Sequence, residues 1–152
     1  MKRHKSLYLL SHDHHHVLVQ AKNLRIASTN ADMPLLHQIA SRFVAFWDTS
    51  LQSHFRQEEE ILLPVFSQYS STDRLEIVET LKQHADIQQA VDHLRKNLAQ
   101  ETVLTMESQA LSTLLSMHIR FEEQHLFPAI QEIVPEEALW EINRRLTAKS
   151  TC

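Results

Sequence analysis

Two stretches of this chain, His54-Phe55-Arg56-Gln57-Glu58-Glu59-Glu60-Ile61-Leu62-Leu63-Pro64 and His118-Ile119-Arg120-Phe121-Glu122-Glu123-Gln124-His125-Leu126-Phe127-Pro128, share the pattern His-x-Arg-x-Glu-Glu-x-x-Leu-x-Pro. The repeat constrains the fold more than any other feature. On a helix, residues four apart lie on one face with Cβ atoms about 5–6 Å apart. Each copy can therefore aim an imidazole and a carboxylate at one point. Two copies on facing helices would supply the nitrogen and oxygen ligands of a dinuclear non-haem metal site.

Composition supports helices throughout. The 152 residues include no glycine and only four prolines, which argues against a loop-rich or all-β chain. The length suits one domain with a single core. A net charge of −4 gives no general reason to expect nucleic acid or an anionic membrane as partner. The lone cysteine, Cys152, permits neither an intrachain disulfide nor a thiolate cluster. The apolar run at residues 7–10 is too short for a signal peptide, and no stretch approaches the length of a membrane span. The expected location is the cytoplasm.

Apolar residues at three- and four-residue steps predict five helices. The first covers about 5–27, with Leu7, Leu10, Val17, Leu18, Ala21 and Leu24 inward and His14 on the same stripe. The second covers about 34–68, and Pro64 either kinks or ends it. The third, about 73–99, is expected to turn Leu81, His84, Gln88, Val91 and Leu98 inward. The fourth covers about 106–131, and a shorter fifth about 135–148. The expected fold is all-α: an antiparallel up-down four-helix bundle over about 5–131 with a short fifth C-terminal helix, all within one domain spanning 1–152. Helix two is too long for helix one, so it must overhang by roughly 10 Å at 1.5 Å per residue or fold its first turns separately.

With these residues in view, the chain resembles the hemerythrin-like, HHE cation-binding family over about residues 5–130. The resemblance is carried by His14 in Ser-His-Asp-His, His54 with Glu58, His84 in Gln-His-Ala-Asp, and His118 with Glu122. It implies a four-helix bundle holding two non-haem irons. Glu58 and Glu122 would bridge them, with His14, His54, His84 and His118 as terminal ligands. The oxygen-carrying members place a second histidine one turn after the one on the third helix, where this chain has Gln88. They also space the His and carboxylate of the fourth helix by five residues rather than four. The resemblance thus leaves one iron short of a nitrogen ligand. It leans toward the sensing, iron-handling and stress-response branches rather than simple oxygen storage.

The residues alone leave some choices open. His15 competes with His14, and His93 lies on the same helix as His84. His125 is either a ligand, a neighbour of the ligands, or a partly buried residue near the bundle end. Arg56, Arg120, Glu59 and Glu123 are expected to form exposed pairs on the outer face. Glu59, Glu123, Asp13 and Asp86 are the alternative candidates for holding the ligating imidazoles from behind. His4, His12, His15, His16 and His37 are expected to be solvated or at helix ends. A carboxylate and imidazole set without thiolate suits iron or manganese better than copper(I) or structural zinc. Iron is the expectation from the resemblance, with manganese or zinc as substitutes. The expected ligand is a small diatomic or a peroxide, and the leading function is to bind or sense oxygen, peroxide or nitric oxide. Iron buffering or delivery for repair of damaged iron centres is the alternative. No conventional hydrolase or transferase arrangement is present, and oxygen or peroxide reduction is the enzymatic option. A homodimer through the outer side of helix five, with Trp140, is a further expectation.

Overall fold

The computed structural model describes residues 1–30 and 32–150, without the side chains of 149 and 150. Cys152 lies outside them. The described residues are all-helical. A 3-10 turn, Lys5–Leu7, leads into α1, Tyr8–Thr29. α2 runs through residues 33–69, α3 is Leu75–Lys96, α4 runs through 101–133, and α5 is Glu136–Ser150. Asp32 starts α2 by accepting the Leu35 N–H at 3.0 Å, with Pro34 in the first turn, where its missing N–H costs nothing. α4 begins at Glu101, a full turn before the expected 106.

Neither Pro64 nor Pro128 ends its helix. Each follows a π turn, Glu58–Leu62 in α2 and Glu122–Leu126 in α4. The Leu63 N–H reaches back to the Glu58 carbonyl, and the Phe127 N–H to that of Glu122. A proline lacks the N–H that a regular helix would donate one turn back, and its ring crowds that carbonyl. The wide turn directly upstream relieves both problems. A further π turn, Trp47–Leu51, precedes the first motif. Such turns add a residue without ending the helix and often mark functional sites.

Apolar packing is divided in two. One cluster holds Val17, Leu24, Phe43, Trp47, Leu94 and Leu111 with their neighbours. The other holds Leu7, Leu10, Phe66, Phe127, Ile130 and Ile142 with theirs. α1 packs on α4 and α2, and α3 packs on α4 and α2. The first turns of α2 do not fold separately: Leu36 and Ala40 are buried in the first cluster with Leu24 and Ala27. α5 closes the second cluster with Leu139, Ile142 and Leu146, which its three- and four-residue spacing places on one face.

Two expectations about helix faces are corrected. Leu18 is exposed, and in α3 the inward face carries Ile77, Thr80, His84, Ile87, Val91 and Leu94. Leu81 and Gln88 point outward. His84 is common to both ladders, since a helix places residues three and four away on its face equally well. The apolar Ile87 and Leu94 decide between them. Among the described residues, no helix is long and apolar enough to cross a membrane.

Candidate metal centre

Along each of α1 to α4 the apolar face is interrupted between the two clusters by a histidine, and in α2 and α4 by a glutamate as well. His14, His54, Glu58, His84, His118 and Glu122 are all buried, and both glutamates are wholly shielded from solvent. Their polar atoms form two groups that share the glutamates: His14, His54, Glu58 and Glu122, and Glu58, His84, His118 and Glu122. Within each group the candidate donor atoms lie within 4.8 Å of one another.

The inward atoms are the Nε2 nitrogens and the carboxylate oxygens. His14 Nε2 is 2.9 Å from Glu122 Oε1 and 3.8 Å from Glu58 Oε2. His54 Nε2 is 3.4 Å from Glu58 Oε2, and His118 Nε2 is 3.4 Å from Glu122 Oε1. His84 Nε2 approaches Glu58 Oε1 at 3.1 Å. Most of these approaches lack hydrogen-bond geometry. His14, His54 and His118 Nε2, Glu58 Oε2 and both Glu122 oxygens are buried without a hydrogen bond among the described residues. Six such atoms around one point would each carry a desolvation cost. A divalent cation accepting their lone pairs removes that cost, so the donor set fits a metal.

The outward ring nitrogens fix this orientation. His14 Nδ1 meets Glu123 Oε2 at 2.7 Å, and His54 Nδ1 meets Asp13 Oδ2 at 3.0 Å. His84 Nδ1 meets Glu59 Oε2 at 2.8 Å, and His118 Nδ1 meets Gln83 Oε1 at 2.8 Å. Carboxylate and amide oxygens only accept, so each Nδ1 donates and Nε2 turns inward. Metal-ligating histidines are held in this way. Two rings are also clamped flat. Phe55 stacks on His84 at 3.9 Å between centroids, and Phe127 on His14 at 5.3 Å.

The charges follow from the same geometry. Burial alone would lower the pKa of His14, but Glu122, Glu123 and Glu58 outweigh it and hold it well above the ordinary value. Burial is likewise overcome at His54, which Glu58 and Asp13 push up to about 9. At His84, burial is overcome by Glu122, Glu58 and Glu59, which push it up to about 11. At His118 burial prevails and the pKa falls. Burial opposes ionisation of Glu58, yet His54, His14 and His84 hold its carboxyl well below the usual range. A field that retains protons on three buried rings is one that favours positive charge at the centre.

The outer contacts correct one expectation. Glu59 and Glu123 do not simply form surface pairs; each holds a histidine of the opposite half of the repeat. Asp86 is not involved and pairs with Lys82 on the surface. Gln83 is an addition that no pattern in the sequence marked, beyond its place just before His84. His15 and His125 are exposed, and neither they nor His93 join the two groups found among the described residues. His12, His16 and His37 are solvent-facing as expected. His4 sits at a helix start, pairing with Glu136.

Two clefts approach the centre. One, of about 670 Å³, is lined by Asp13, His16, His54 and Gln57 among others. The second, of about 270 Å³, is lined by Phe55, Glu59, His84 and Gln88 among others. No curated protein matches the chain. The family model described as the hemerythrin HHE cation-binding domain matches residues 5–130, most of the chain and all six inward residues. By that match, the chain belongs to the hemerythrin HHE cation-binding domain family.

Proposed function

We propose that α1 to α4 form an antiparallel up-down bundle around a dinuclear non-haem iron centre that binds or senses oxygen, peroxide or nitric oxide. His14 and His54 would hold one iron, His84 and His118 the other, and Glu58 and Glu122 would serve both. Manganese or zinc could substitute. The observation that carries this reading is the set of buried Nε2 and carboxylate atoms without hydrogen bonds. When bound, a pair of ferrous ions with an open position supplies reversible ligand binding and electrons to a diatomic or a peroxide.

The chain's own residues perform the remaining tasks. Glu123, Asp13, Glu59 and Gln83 orient the four imidazoles, and Phe55 and Phe127 prevent two of them from rotating. The apolar clusters on either side limit water at the centre. The clefts beside His54 and His84 give a small ligand two approaches. The same clefts favour a second reading, iron buffering or delivery, because a chelator or acceptor could reach the flank of either histidine.

Anaerobic iron loading followed by azide or nitric oxide addition tests the proposal. New ligand-dependent absorption bands are expected, absent in Glu58→Ala. Iron that binds without such bands, and passes rapidly to a weak chelator, would instead support delivery.

A further inference from the structure

The two groups match at their inner atoms, each with two histidine Nε2 nitrogens and the shared glutamates. They differ one layer out. In the first, both rings face carboxylates: His14 on Glu123 and His54 on Asp13. In the second, His84 faces the carboxylate of Glu59, but His118 faces the neutral amide of Gln83. Asp13 and Gln83 occupy equivalent places, each directly before the lone histidine of its half. Gln83 is fixed in this role, because its Nε2 donates to Glu79 Oε1 at 3.0 Å and turns its oxygen toward His118. The repeat has thus exchanged a charged acceptor for an uncharged one at a single position.

A carboxylate accepting the Nδ1 proton makes the imidazole a stronger donor to a metal, and an amide does so less. We propose that Asp13 and Gln83 make the two metal positions unequal. The position at His14 and His54 fills first and holds its ion more tightly; the position at His84 and His118 fills second and is the exchangeable one. This rests on the metal-centre reading above. Solvent screens Asp13, whose side chain is 44% exposed, but of the matched pair Glu123 and Glu59 the more shielded carboxylate, at 30% against 42%, is the one on His14. Arg3 at Oε1 and Ser11 at Oε2 draw on the Glu123 carboxylate that holds His14, so the inequality is carried by Asp13 against Gln83. The larger cleft lies beside His54, but the order of filling at equilibrium is set by affinity and not by ease of entry.

Zinc titrated into the metal-free full-length protein, followed by ¹⁵N–¹H spectra of the histidine imidazoles, tests the order. His14 and His54 should respond over the first equivalent, and His84 and His118 over the second. The affinity gap should be about 10-fold, the lower end of what outer partners of metal-bound histidines contribute. Asp13→Asn should weaken the first step alone, and Gln83→Glu, made together with Glu79→Gln so that their contact keeps a donor, should strengthen the second alone. Asp13, Glu79 and Gln83 are partly exposed, so the variants should fold, which circular dichroism checks. The variant that combines these changes should reverse the order. Simultaneous response of all four rings, or an order unchanged in the combined variant, overturns the proposal while leaving the metal centre intact. No response from any ring overturns both.

Discussion

The apolar clusters and the polar layer between them obey opposite rules. Phe43, Leu24 and Leu94 on one side, and Phe66, Phe127 and Ile142 on the other, are almost wholly buried and gain stability by leaving water, about 25 cal/mol per Å² of apolar surface. Glu58 and Glu122 are buried as completely, yet burial works against them. Every one of α1 to α4 carries this sequence of apolar, polar, apolar along its inner face. The cores therefore secure the fold, while the layer between them is kept for what it binds. Stability and metal content should then respond to different substitutions.

The largest effect should come from removing both shared carboxylates. Glu58→Ala with Glu122→Ala should cut bound metal from two equivalents to none, as read by elemental analysis after loading, because both positions lose their common ligands. The apolar ends should behave the other way. Phe66→Ala should cost about 3–5 kcal/mol in denaturant melts, as large-to-small changes in a packed core do. The variant should nevertheless retain its metal stoichiometry under conditions where it stays folded. A loss of metal out of proportion to unfolding would blur the distinction.

Acidity acts on the polar layer and leaves the apolar clusters untouched. His54 and His84 have pKa values raised from 6.5 to about 9 and about 11 by their carboxylate neighbours. A raised value means that the folded form holds the proton more tightly. The stability this contributes is complete below about 6.5 and is lost as pH rises through 9 and beyond. His118 is shifted down, so its contribution runs the other way and is lost as pH falls below 6.5. The metal-free protein should lose on the order of a few kcal/mol between pH 6.5 and 9, measured as urea midpoints with a chelator present. Metal loading should flatten that slope, because the cation replaces the protons. The smallest effect belongs to Arg144→Ala on the outer face of α5. There an exposed pair with Glu141 should contribute under about 0.5 kcal/mol and leave metal content unchanged.

How much of this was legible in the sequence depended on whether the signal was a repeat or a phase. The two His-x-x-x-Glu steps name four inward residues directly, since that spacing keeps both side chains on a face already marked by Leu51, Ile61, Leu115 and Leu126. His14 follows from the phase of α1. The inward face of α3 followed only in part: His84 and Val91 are buried as expected, but Leu81 and Gln88 are exposed, because His84 fits both the Leu81–Gln88 ladder and the Ile77–Ile87 one. The π turns left only an indirect mark, a proline six residues beyond each shared glutamate within an otherwise unbroken helix. Glu59 and Glu123 looked like surface residues because each sits one step off the inward stripe; their reach to a histidine on another helix depends on tertiary packing. Gln83 gave no mark of its own.

Crystals of the iron-loaded protein, measured by anomalous scattering at the iron edge, would show whether the buried polar layer is where the metal sits. Two peaks are expected within the layer, one beside His14 and His54 and the other beside His84 and His118, with Glu58 and Glu122 touching both. Iron found only at surface histidines such as His12 and His16, with the buried layer closed on itself by hydrogen bonds, would contradict that.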